Sequence, residues 1–180
     1  FFEGFTSYYD DLILRRAGLL DDAGYLKLLG KTINQVLQTP GQAVQSVAQS
    51  SFDAWLKYYR VDENTPNITV SYYTKGALVA LCLDLTLRTD SKSATGVNLD
   101  TVMRSLWQRC KGGPMVEADV LAVLEEISGR SFAAELAAWV HGTQPLPLQA
   151  LLQANGLRVV QDPPALAQKL GLRVTESAGV

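Results

Sequence analysis

The stretch from Ser71 to about Arg88 most constrains what this chain can fold into. Its Leu78, Val79, Leu81, Leu83, Leu85 and Leu87 leave little room for a polar face. A helix that is apolar nearly all round must be covered on every side, so the pattern predicts a central, mostly buried rod. Only the first turn differs: Tyr72, Tyr73 and Lys75 place polar groups on it, beside Gly76. The rest of the sequence has to supply the elements that cover this rod.

It does so with further helical patterns. Residues 2–16 carry Phe5, Tyr8, Tyr9 and Leu12 at helical spacing and end on Arg15-Arg16, which suit the negative end of a helix dipole, with Gly18 as a stop. Ala23 to Leu37 reads as a second helix, apolar at Tyr25, Leu28, Leu29, Ile33, Val36 and Leu37, and Thr39-Pro40-Gly41 breaks it. Gln42–Ala48 fits a short helix or an extended segment. Ser51–Tyr59 is helical in pattern, with Phe52, Trp55, Leu56 and Tyr59 on one side; such aromatics beside a polar loop mark either a cleft wall or core. Asp62–Asn67, with Asn64-Thr65-Pro66-Asn67, reads as a loop. After a polar loop at Asp90–Gly96, Asn98 or Asp100 caps a helix running to about Cys110, stopped by Lys111-Gly112-Gly113-Pro114. Glu117–Ile127 forms the next helix and Gly129 ends it. Ser131 caps another, with Phe132, Leu136 and Trp139, that closes near Gly142; Leu148–Ala154 is a last short piece.

After Gly156 the character changes. Leu157-Arg158-Val159-Val160 and Leu172-Arg173-Val174-Thr175 alternate as strands do, separated by Asp162-Pro163-Pro164. The expectation is an all-α body over residues 1–155 and a short β-prone tail over 156–180. No internal repeat is visible.

Composition narrows the function classes. In 180 residues, 47% are apolar and 19% charged, which is ordinary for a globular protein. The net charge of −2 and sixteen scattered basic residues give no electrostatic footprint for nucleic acid. No uncharged apolar stretch approaches the roughly 18 residues a membrane span requires. Cys82 and Cys110 fall inside apolar helical patterns, which suits buried free thiols, with a disulfide as the alternative. A single histidine, His141, excludes a multi-histidine metal site within this chain. The composition leaves the compartment open.

Three places carry candidate chemistry. Glu3 sits at the head of the first helix, wedged between Phe2 and Phe5. A carboxylate there is either an exposed group favoured by the helix dipole or a ligand, and Gly4 beside it lets another backbone or a metal's surroundings come close. Ser7, four residues on along the same face, is a candidate supporting partner. Tyr72 and Tyr73, with Lys75 and Gly76, offer either core rings with surface hydroxyls or a phenol held rigidly to hydrogen-bond a developing oxyanion. His141, at a helix end, receives no role. There is no Gly-rich phosphate loop, no Cys-x-x-Cys pair and no nucleophile elbow.

Phe2-Glu3-Gly4-Phe5-Thr6-Ser7-Tyr8-Tyr9 resembles the glutamate-ligand motif of the gluzincin metallopeptidases. In those enzymes an H-E-x-x-H helix supplies two histidines and a general base, and a later helix supplies the third zinc ligand. Ser71-Tyr72-Tyr73-Thr74-Lys75-Gly76-Ala77-Leu78-Val79 resembles the Y-x-K-G-A segment of aminopeptidase N relatives. Phe132 through Pro147, with Trp139, Gly142 and Pro147, is similar to the close of that family's helical domain. The run from Gln45-Ser46-Val47-Ala48 through Asp62–Asn67 resembles the PDZ-bearing glycyl aminopeptidase branch, and Leu170-Gly171-Leu172-Arg173-Val174 resembles the approach to its PDZ domain.

The resemblance implies a multi-helix C-terminal subdomain of a gluzincin (thermolysin- and aminopeptidase N-like) catalytic domain, followed from residue 156 by a linker and the truncated start of a PDZ domain. It implies that Glu3 is a zinc ligand and that Tyr73 stabilises the tetrahedral intermediate; a one-residue shift would put Tyr72 there instead. The chain opens in mid-pattern without a methionine, so it is expected to be a piece of a longer protein. Zinc is expected in the full-length protein and not in this chain alone, which lacks the H-E-x-x-H helix and the N-terminal catalytic half and is expected to be inactive. The implied substrates are peptides with small N-terminal residues such as glycine or alanine. The rival reading is a non-catalytic helical scaffold or interaction module.

Overall fold

Helices order the residues described by this computed structural model, 1–90 and 96–160. They are α1 (Phe2–Arg16), α2 (Asp22–Leu37), α3 (Val47–Phe52), α4 (Thr65–Ile68), α5 (Thr74–Thr89), α6 (Leu99–Cys110), α7 (Glu117–Ser128), α8 (Ala133–Leu136) and α9 (Leu148–Ala154). A 3-10 turn at Pro40–Ala43 precedes α3, and single π-helical turns, Ala54–Tyr58 and Ala137–His141, lie after α3 and α8. Among the described residues there is no strand, and no helix is long and apolar enough to cross a membrane. The all-helical expectation holds. Residues 91–95 of the expected loop at Asp90–Gly96, and the expected second strand at 172–175, lie outside the described residues.

The leucine-rich run becomes the central helix. Every residue of α5 from Lys75 to Leu85, and Leu87, is buried. Helices α1, α2, α6 and α9 and the turn at 137–141 surround it, with α1 making the most extensive contact. Each fully buried leucine contributes about 2 kcal/mol of transfer free energy, so α5 organises the fold by area alone. Regular α-helix starts at Thr74, but Ser71 acts as a cap one turn earlier. Its hydroxyl accepts from the Thr74 N–H at 3.3 Å, and its carbonyl accepts from the Lys75 N–H at 2.9 Å.

Two polar side chains are buried within this apolar rod. Asp84 is 4% exposed. Its carboxylate accepts from the Tyr8 hydroxyl of α1 at 2.7 Å, the Leu99 N–H at the start of α6 at 2.7 Å and Arg88 Nε at 2.9 Å. One carboxylate thus ties three helices and satisfies an N–H that the first turn of α6 leaves without a helical partner. Burial, together with the charge of Asp84 and the hydrogen bond to it, raises the Tyr8 phenol above its ordinary range. Lys75 was expected to be a polar group of the first turn. Instead it is 1% exposed, its ammonium donating to the Gln42 carbonyl at 3.2 Å, and burial lowers its pKa.

Other departures are local. Ser46 and Gln49 form a capping box that starts α3 at Val47, inside the stretch left open between helix and extended chain. The helix expected over 51–59 is interrupted at Asp53 and continues as a π turn. Its expected apolar side is largely in the open: Phe52 is 90% exposed, Trp55 79% and Leu56 71%. Within the expected loop, Asp62 accepts from the Asn64 N–H and the Thr65 hydroxyl, and one helical turn follows. Leu157 and Val159 do face the core alternately with Arg158 and Val160, but among the described residues no strand pairs with them. Cys82 is buried and Cys110 partly so, and both are free.

Helices α1 and α5 cross backbone to backbone. A Cβ added at Gly4 would lie 2.7 Å from the Cα and carbonyl carbon of Gly76, and one added at Gly76 would lie 2.9 Å from the Gly4 Cα. In an open helix, glycine to alanine stabilises by about 1 kcal/mol. Here the clash reverses the sign. Gly4→Ala is expected to destabilise the chain by roughly 1–3 kcal/mol in urea unfolding; a gain would refute the close crossing. Asp84→Ala leaves the Tyr8 hydroxyl and Leu99 N–H without their acceptor and is expected to cost about 3 kcal/mol or more in the same assay.

Candidate active site

The crossing at Gly4 and Gly76 opens a cleft of about 510 Å³ along the N-terminal ends of α1 and α5. Glu3 lines it from α1, and Tyr72 and Tyr73 line it from the start of α5. Trp55 and Tyr59 come from the π turn after α3 and its cap, and the floor is apolar, built from Val79, Leu83, Val120, Leu136 and Val140. The structure therefore brings the sequence-derived residues Glu3 and Tyr73 to one cavity. Of the two readings of the aromatic stretch, Trp55 and Tyr59 follow the cleft-wall one.

Glu3 is exposed at the head of its helix. Its position is set by Gly4: a residue with a side chain there would push α1 away from α5 and carry the carboxylate with it. Ser7 does not serve Glu3. It lines a separate crevice on another face of α1, with Tyr25, Leu29 and Thr32. A helix face turns about 40° over four residues beyond a full turn, which is enough to carry Ser7 off the cleft.

The phenols form a connected group. The Tyr59 hydroxyl lies 2.9 Å from that of Tyr73 and 3.1 Å from that of Tyr72, and the Tyr58 hydroxyl lies 3.1 Å from Ser71 Oγ. The rings of Tyr72 and Tyr73 are 4.5 Å apart, with Tyr58 against both. Hydrogen bonds from Tyr72 and then Tyr73 hold the Tyr59 phenol below its ordinary range. The bond to Tyr59 raises Tyr73, and partial burial, followed by the bond to Tyr59, raises Tyr72. The negative charge of Glu3 also reaches Tyr59 and Tyr73. At neutral pH, Tyr72 and Tyr73 are thus protonated donors beside a carboxylate.

Lys75 and His141 stand apart from this group. Lys75 is turned into the protein, on the Gln42 carbonyl. His141 Nε2 lies 2.7 Å from Glu117 Oε2, both side chains about half exposed. Glu117 is a second carboxylate of the cleft that the sequence did not single out. Its signal was its place one turn before Val120, on the face of α7 that meets the cleft.

As a metal centre this cleft is incomplete. A catalytic zinc requires three protein ligands. Among the described residues no group of three histidine, cysteine, aspartate or glutamate side chains is arranged to hold a metal. Glu3 is a suitable oxygen donor, but the residues present do not by themselves fit a zinc ion.

The family model of the M61 glycyl aminopeptidases matches residues 1–79, which include both Glu3 and Tyr73. The crystal structure of an aminopeptidase N family protein from Idiomarina loihiensis is similar over 85% of this chain, at 42% identity and a TM-score of 0.79. The chain spans 26% of the length of that relative. No curated protein matches the chain. Over residues 1–79 the chain is similar to the M61 glycyl aminopeptidase family, and its helical architecture is similar to that of an aminopeptidase N family protein.

Proposed function

We propose that this chain is the helical part of a zinc aminopeptidase, to which it contributes one metal ligand, Glu3, and one oxyanion donor, Tyr73. The observation that carries the reading is the shared cleft: two residues seventy positions apart in sequence meet because α1 and α5 touch at Gly4 and Gly76. In the longer protein, an H-E-x-x-H helix would supply the two histidines and the general base. A zinc held by them and Glu3 would supply a water of lowered pKa and polarise the scissile carbonyl.

What this chain's own residues do follows from their chemistry. Glu3 brings a negative charge and two lone-pair-bearing oxygens to the rim of the cleft. Tyr73, held at the rigid start of α5, donates its O–H to the oxygen on which charge accumulates as the peptide carbonyl becomes tetrahedral. Trp55 and Tyr59 wall one side and keep water from the reacting carbonyl. Residues 1–155 then form the helical part of the catalytic domain, and 156–180 a linker and the start of a PDZ domain. The substrates are peptides with small N-terminal residues, glycine or alanine. The isolated chain is inactive for want of the other ligands.

In the full-length protein, Glu3→Gln is expected to lower zinc content, read by atomic absorption, and aminopeptidase activity together. Wild-type levels of both would refute the ligand role. Tyr73→Phe is expected to lower kcat by on the order of 10²-fold with zinc retained. If Tyr72→Phe shows that loss and Tyr73→Phe does not, the oxyanion donor is Tyr72.

A further inference from the structure

We propose that Tyr59 is a positioning residue for Tyr73, and that in the hydrogen-bonded group of Tyr72, Tyr59 and Tyr73 the Tyr59–Tyr73 bond reverses its sense when an oxyanion forms in the cleft. This rests on the reading of Tyr73 as oxyanion donor and extends it to a residue outside both sequence motifs. The distances allow this arrangement. Tyr59 lies within hydrogen-bond reach of both neighbours, at 3.1 and 2.9 Å, yet a hydroxyl donates once and accepts twice.

With the cleft empty, Tyr72 and Tyr73 both donate to Tyr59. Tyr73 then spends its only proton on Tyr59. When negative charge appears on a bound carbonyl oxygen, the Tyr73 O–H turns to it. The Tyr59 O–H turns in its place to the Tyr73 oxygen, while Tyr72 continues to donate to Tyr59. The change is rotation about two C–O bonds, those of Tyr73 and Tyr59. No proton changes owner and no heavy atom moves.

The count of bonds explains the advantage. Alone, Tyr73 would have to give up one hydrogen bond to make another. With Tyr59 able to donate back, the 2.9 Å contact is kept in reversed sense, and the bond given up for the oxyanion is only that from the exposed Tyr59 hydroxyl to solvent. A phenol that accepts a hydrogen bond is also a stronger donor of its own. Tyr59 is suited to the task because it is half exposed and its hydroxyl can turn between solvent and Tyr73. Its backbone is held: the Tyr59 N–H donates to the Ala54 carbonyl at 3.0 Å, closing the π turn.

The test is a double-mutant cycle in the full-length protein, with alanyl p-nitroanilide as substrate and Tyr59→Phe, Tyr73→Phe and the double variant compared. Tyr59→Phe is expected to lower kcat by about fivefold to tenfold, which is the effect of roughly one hydrogen bond. KM, zinc content and Tm should be unchanged. In the Tyr73→Phe background the same substitution is expected to change kcat by less than about twofold, because the partner hydroxyl is already gone. An equal loss in both backgrounds would mean that Tyr59 supports the scaffold alone and would overturn the proposal, as would wild-type kcat in Tyr59→Phe. A silent Tyr73→Phe would overturn the oxyanion role itself, and a normal loss there with a silent Tyr59→Phe would overturn only the positioning role of Tyr59.

Discussion

Everything at the cleft depends on two glycines in van der Waals contact. Gly4 and Gly76 let α1 and α5 meet with no side chain between them; Gly4 adjoins Glu3, the proposed ligand, and Gly76 lies one helical turn after Tyr72 and Tyr73, the candidate oxyanion donors. A helix pair separated by ordinary side chains has its axes about 8–10 Å apart; a glycine crossing brings them nearer. The distance between the carboxylate and the phenol is therefore set by the absence of two methyl groups. Helix propensity runs against glycine at both places by about 1 kcal/mol each, so the crossing is held by the burial of α5 around it.

That burial also frames the two polar groups within it, which are treated differently. Asp84 has three donors around its carboxylate, two of them from other helices, and so fixes α1 and α6 against the centre. Lys75 has one carbonyl, from the segment just after the 3-10 turn's start. Its ammonium anchors that segment to the base of α5. Between them the two groups define the height and rotation of α5, which an apolar surface alone specifies loosely.

Much of this was legible in the sequence. The apolar run announced the central helix, and the spacing of Phe5, Tyr8 and Leu12 announced the helix that covers it, starting at residue 2 as read. Glu3 and Tyr73 could be singled out from their motifs, and Gly4 from its need for close approach. The rest was hidden for physical reasons. Asp84 lies inside a leucine run, and nothing local tells whether its partners arrive from 76 residues earlier or 15 later. Ser46 and Gln49 had the spacing of a capping box but no strong apolar period to follow it. Phe52, Trp55 and Leu56 obey a helical period and yet face outward, because a period describes a face and does not say what covers it. Tyr59 was visible as an aromatic, but its contact with Tyr72 and Tyr73 is a tertiary fact.

The π turn at Ala54–Tyr58 has a further consequence. Closing a turn with the Tyr59 N–H on the Ala54 carbonyl takes one residue more than an α-helical turn, and one residue is about 100° of rotation. The turn is in effect a phase shift written into the chain by a single added position. With one residue fewer, the segment could wind as plain α-helix, its aromatics would swing by about a quarter of a circle, and the wall of the cleft would face elsewhere while every apolar residue remained. Length, at this place, carries as much information as residue type.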